Sequence, residues 1–177
     1  MLAKYEILER ILSCGIIAVI RARSVEEGLN LAEAARRGGI TAIEVTMTVP
    51  GALRVMEELV RQYSSREVVI GAGTVLDPET ARLAILSGAE YIVSPYLNSE
   101  IVKLTHRYGK ISMPGAMSMR EVVEALDAGA EAIKISPANL FGPAILEAIK
   151  GPLPQAVLIR TGGVNVENVA RWIKAGA

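Results

Sequence analysis

Two charged residues interrupt runs that otherwise read as buried strands: Lys134 in Ala132-Ile133-Lys134-Ile135-Ser136 and Glu44 in Ala42-Ile43-Glu44-Val45-Thr46. Strands of a parallel sheet are covered on both faces, so a charge placed there is costly unless something compensates or uses it. A lysine amine kept neutral part of the time, by burial or by nearby cations, attacks a carbonyl and forms a Schiff base. The resulting iminium draws electrons from the adjacent carbon–carbon bond. A carboxylate beside it moves protons to and from the carbinolamine, the enamine and a hydroxyl oxygen. Lysine plus glutamate in a dry interior is therefore a minimum set for retro-aldol cleavage, with no metal and no cofactor. A structural salt bridge across the core is the competing explanation, and desolvation makes it a weak one.

Alternation along a strand decides where these side chains point. Lys134 shares a face with Ala132 and Ser136, and Glu44 with Ala42 and Thr46, while Ile133, Ile135, Ile43 and Val45 point the other way. The branched face suits a layer under helices, and the small or polar face suits a crowded barrel interior. Glu44 falls on the second strand of the chain and Lys134 on the sixth. Strands of equal parity contribute to the same interior layers of a barrel, so the two heads can meet.

The elements that hold them follow from period. Short β-rich runs occur at 16–21, 41–46, 68–70, 91–94, 111–113, 132–136 and 156–159. Helical patterns lie at about 24–37, 50–63, 78–87, 98–108, 118–128, 142–149 and 165–174, with start signals at Ser24, Asp77 and Asn98. Helix-ending glycines recur at Gly39, Gly88, Gly109, Gly129 and Gly176. Regular tandem βα repetition predicts a TIM (β/α)8-type barrel rather than an open doubly wound sheet. The expectation is one domain over 1–177, opened by an amphipathic helix at about 3–13. The count stops after seven βα units, with an eighth strand and helix absent. A barrel left open in that way exposes unpaired strand edges, which points to a truncated chain.

Composition bounds the function. The 177 residues are 51% hydrophobic and 21% charged, with 19 Lys plus Arg against 19 Asp plus Glu. No basic field points to nucleic acid, and binding of a small molecule fits better. The single cysteine, Cys14, excludes an internal disulfide and reads as a small buried hydrophobe. No stretch approaches the length of a bilayer span, and the N-terminus is amphipathic rather than signal-like, so the setting is expected to be cytoplasmic. His106 belongs to a helical face and reads as solvated.

Small and polar residues gather at the C-terminal ends of the strands, where barrels of this kind place their sites. Gly71-Ala72-Gly73-Thr74 allows close backbone approach and offers a hydroxyl for a carboxylate. Ser94-Pro95 and Pro114-Gly115 read as rigid strand exits. Arg21 ends the first strand and is placed to bind a substrate anion. Thr161-Gly162-Gly163-Val164 precedes a helix whose amides can cradle a phosphate.

Taken in order, Ile43-Glu44-Val45-Thr46, Gly71 to Val75, Val93-Ser94-Pro95, Met113-Pro114-Gly115, Ile133-Lys134 with Pro137, and Thr161 to Val164 resemble the 2-keto-3-deoxy-6-phosphogluconate and 4-hydroxy-2-oxoglutarate aldolases. The resemblance runs from about residue 15 to the end. It implies a class I aldolase that releases pyruvate from a 2-keto acid, uses no cofactor or metal, and is commonly a homotrimer. Lys134 would form the Schiff base and Glu44 would carry protons. Thr74 would hold the carboxylate and Thr161 would set stereochemical preference. Gly162 and Gly163 would take part of the phosphate, with Arg21 and Pro95 completing the substrate site.

Three departures accompany the likeness. Thr48 stands where part of the family has a substrate-binding arginine, Ser136 precedes Pro137 where many relatives have phenylalanine, and the Gly-x-Gly-Ser segment that normally completes the phosphate site belongs to the eighth strand expected to be missing. The last predicts weak phosphate binding. Two other readings remain open on sequence: a phosphate-binding barrel of the thiamine-phosphate-synthase type, which would need an acidic Mg²⁺ site, and a non-catalytic barrel acting as an assembly scaffold.

Overall fold

The computed structural model describes residues 3–176. Helix α1 (Ala3–Cys14) leads into β1 (Ile17–Ile20), and α2 (Val25–Arg37), β2 (Ala42–Thr46), α3 (Ala52–Gln62), β3 (Val69–Gly73), α4 (Pro78–Leu86), β4 (Tyr91–Val93) and α5 (Ser99–Arg107) follow. The second half runs β5 (Ile111–Met113), β6 (Gly115–Ala116), α6 (Met119–Asp127), β7 (Ile133–Ile135), α7 (Ala144–Lys150), β8 (Leu158–Arg160) and α8 (Val169–Lys174). All pairings are parallel, in the orders β1-β2-β3-β4-β5 and β6-β7-β8. Pro114 parts β5 from β6, yet the Lys134 amide donates to the Pro114 carbonyl at 2.8 Å, so the two form one stave of a (β/α) barrel.

The sequence pattern is right about the order and type of these elements and errs at several edges, the helix expected from 165 beginning only at Val169. The strand expected at 68–70 runs on through Gly71 and Gly73, whose composition argues for a loop. Gly115 and Ala116 continue a strand beyond the expected exit at Pro114. The last strand sits at Leu158–Arg160 rather than 156–159, and a 3₁₀ turn forms at Ala138–Leu140. Glycine and proline argue locally against strand, and the neighbouring ladders override them.

Helix starts obey the chemistry of capping. Ser24, Asp77 and Asn98 accept from the first-turn amides of α2, α4 and α5, and Ser118 with Glu121 forms a capping box on α6. Each such cap stabilises its helix by about 1 kcal/mol. Outward-facing Ile43, Val45 and Ile70 pack with Val55, Met56 and Leu59 of α3. Ile133, Ile135 and Leu158 pack with Val122, Leu146 and Trp172 on the other side. Inward-facing Ala42, Val69, Tyr91, Val93, Ile111, Met113 and Ala132 form a third cluster, and Ile7, Leu8 and Ile11 of α1 pack against it.

His106 departs from its expected solvated state. It is half-buried, with Nε2 3.2 Å from Glu131, which also accepts from Lys4 at 2.7 Å and from the Ser112 amide at 2.8 Å. Long-range partners drawn from three other elements are invisible to a helical-wheel argument.

Candidate active site

Glu44 and Lys134 lie where alternation sends them, buried inside the barrel at 3% and 5% exposure. Their neighbours in the chain, Ile43 and Val45, Ile133 and Ile135, face the helices. No ion pair joins the two, in contrast to Lys4 with Glu131 at 2.7 Å, and Glu44 Oε1 has no hydrogen-bond partner. Burial pushes the Glu44 carboxyl above the usual carboxylate range, while the charges of Lys134 and Arg21 pull it back. A salt bridge that merely fills the core would show the two heads in contact. The arrangement instead leaves the two groups near enough for the charge of Lys134 to act on Glu44 without a direct ion pair.

Gly73 makes room for this carboxylate. A Cβ on Gly73 would lie 1.8 Å from Glu44 Oε1 and 2.4 Å from Cδ. Gly73→Ala is therefore expected to swing the carboxylate aside and lower kcat by about 100-fold, as displacements near 1 Å commonly do. It should also cost about 1–3 kcal/mol through overpacking. Steady-state rates and thermal melts of the variant check both numbers.

The expected binding residues are brought together only in part. Arg21, Glu44, Thr161, Gly162 and Gly163 line one cavity of about 600 Å³, whereas Lys134, Thr74 and Pro95 do not line it. Thr74 follows β3 with φ 58°, the one non-glycine positive φ among the described residues. For a β-branched residue that conformation stores strain of the kind found at binding sites. Pro95 is exposed, and its carbonyl occupies the space a Cβ on Gly115 would need, at 2.2 Å. Thr48 is tied by its hydroxyl to that of Thr46 at 2.9 Å, and Thr46 donates to the Ile20 carbonyl.

The Thr161-Gly162-Gly163 turn leaves β8 with both glycines at positive φ, 103° and 69°. Sequence reasoning missed what pins it. Arg160 Nη2 donates to the Gly162 carbonyl at 2.6 Å while its guanidinium stacks 3.5 Å from the Trp172 ring centroid, and Asn168 Nδ2 donates to the Gly163 carbonyl at 2.7 Å. An arginine ending a strand beside a later tryptophan was the available signal. No group of three or more His, Cys, Asp or Glu side chains is assembled for a metal ion among the described residues.

A parallel barrel with a buried lysine, a buried carboxylate and a Gly-Gly turn at its strand ends belongs to the class of Schiff-base barrel enzymes. The chain belongs to the KDPG and KHG aldolase family, whose model matches residues 7–177, and is a class I aldolase, a carbon–carbon lyase. It is 36% identical over 162 residues to the 2-dehydro-3-deoxy-6-phosphogalactonate aldolase of Escherichia coli, covering 91% of this chain and 78% of that one. It is 33% identical over 174 residues to the 2-dehydro-3-deoxy-phosphogluconate aldolase of Treponema pallidum, covering 98% and 80%. Among solved structures it is similar, at 34% identity and a TM-score of 0.81, to the KDPG aldolase of Legionella pneumophila with pyruvate captured as a covalent carbinolamine. That match covers 89% of this chain and 76% of the other.

Proposed function

We propose that this chain cleaves 2-keto-3-deoxy-6-phosphogluconate-type acids to pyruvate and glyceraldehyde 3-phosphate, and 4-hydroxy-2-oxoglutarate to pyruvate and glyoxylate. Lys134 Nζ attacks the C2 carbonyl, whose oxygen leaves as water after accepting a proton from Glu44. Glu44 then removes the C4 hydroxyl proton; the C3–C4 bond breaks, its electron pair passes to the iminium, and the aldehyde departs. The same carboxyl returns a proton to C3 of the enamine, and water hydrolyses the iminium to release pyruvate and the free amine.

The observation that carries this reading is the pair of buried, unjoined head groups in one barrel interior. Thr74 and Arg21 serve the carboxylate end, Pro95 shapes the wall, Thr161 faces the hydroxyl-bearing carbon, and Gly162 with Gly163 offers backbone amides to the phosphate. Family membership supports a homotrimer of single-barrel chains working in the cytoplasm. Among the described residues no helix is long and apolar enough to cross a membrane. Incubation with pyruvate and borohydride should add a reduced pyruvate adduct to Lys134, read by peptide mass mapping. A folded protein that gives no adduct overturns the proposal.

A further inference from the structure

Glu44 shares the barrel interior with a second polar group that no motif singles out. Tyr91, in β4, is fully buried, and its hydroxyl has no hydrogen-bond partner, just as Glu44 Oε1 has none. A buried phenol ordinarily finds a partner, since a dry, unpaired hydroxyl forfeits its hydration.

Strand register brings the two orphans together. Glu44 pairs with Gly71, and Gly71 with Tyr91, so three adjacent strands hold them in one row. The Tyr91 ring fills the place of the side chain that Gly71 lacks: a Cβ there would lie 2.3 Å from both Cε2 and Cζ. The Glu44 carboxylate fills the corresponding place at Gly73. Gly71 and Gly73 share a face and stand about 7 Å apart along the strand. The phenol thus ends one step beneath the carboxylate, a gap in which ordered water can hydrogen-bond to each. Glu44 is faced by Lys134 of β7, by Arg21 at the end of β1 and by Tyr91; Tyr91 is faced by Glu44 and by Cys14 at the end of α1.

We infer that Tyr91 is a positioning residue for Glu44, its hydroxyl donating through bridging water toward Oε1 and favouring the ionised, proton-accepting carboxylate. The inference rests on the reading of Glu44 as the proton carrier. It explains why the row contains a tyrosine where phenylalanine would fill the same volume without an unpaired oxygen.

Tyr91→Phe removes that oxygen and keeps the ring over Gly71. With the donor gone the carboxylate holds its proton to higher pH. The acidic limb of kcat against pH is expected to move up by about one unit. The carboxyl stretch of Glu44, assigned by its loss in Glu44→Gln and followed by infrared titration of the unliganded protein, should shift in the same sense. That band decides the matter without turnover: a shift supports the coupling, and an unmoved band overturns it, with a raised Tm marking an idle hydroxyl. Failure of the unaltered protein to trap pyruvate would strike the aldolase reading instead, and the titration would still report on Tyr91.

Discussion

Lys134→Ala is expected to abolish borohydride trapping of pyruvate and to lower turnover by more than about 10⁴-fold, the scale on which loss of a covalent nucleophile acts. A second amine borders the cavity that Glu44 lines and makes the test discriminating. Lys150 lines the cavity with Arg21 and Glu44, yet its Nζ donates to the Ala156 carbonyl at 2.6 Å. An adduct that survived in Lys134→Ala and mapped to Lys150 would displace the assignment. Lys134→Arg sharpens the comparison, because it keeps a positive charge beside Glu44 but offers no amine that deprotonates at working pH. If the arginine variant retained turnover, the role of position 134 would be electrostatic and the Schiff base would fall. Near-zero rates in both variants, with far-ultraviolet spectra unchanged, are the expected result.

The direction of Lys134 and Glu44 was legible because it depends on a period of two alone, and a parallel barrel leaves that period undisturbed. The identity of the fold was legible for a related reason: helix-ending glycines and capping residues repeat locally, and Ser24, Asp77 and Asn98 act at short range. What the sequence hid was decided by neighbours distant in the chain. Gly71 and Gly73 look like a flexible turn, but each is a vacancy that a residue from another strand fills. Tyr91 reads as an ordinary aromatic of a buried strand until register sets it beside Gly71 in the row of Glu44. The hold of Arg160 on the Gly162 carbonyl depends on Trp172, twelve residues on, arriving under its guanidinium. His106 escapes a helical-wheel argument for the same reason, since its partner Glu131 belongs to the approach to β7.

Glu44→Gln should separate the two halves of the chemistry and carry a stability signature of opposite sign. Glutamine keeps the shape over Gly73 but moves no protons, so turnover should fall by about 10²–10⁴-fold. Trapping at Lys134 should persist at a reduced rate, because the amine still reaches the carbonyl. The fold, by contrast, should gain. Burial raises the Glu44 carboxyl above its unfolded value, so between the two values the native state binds more protons than the unfolded one. Native stability therefore falls as pH rises through that window, and above it the protein carries the full cost of ionising a buried carboxyl. Glutamine removes that cost. Thermal melts should place Glu44→Gln above the unaltered protein at neutral pH, with the gap closing as the medium is acidified below the carboxylate range. A gap that stayed constant with pH would mean that the carboxyl is not perturbed by its burial. A destabilised variant at neutral pH would mean that Lys134 draws net stability from the pair. The expected pattern, lower stability in the active protein and higher stability in the inert one, is the signature of a charge kept in the core for chemistry rather than for packing.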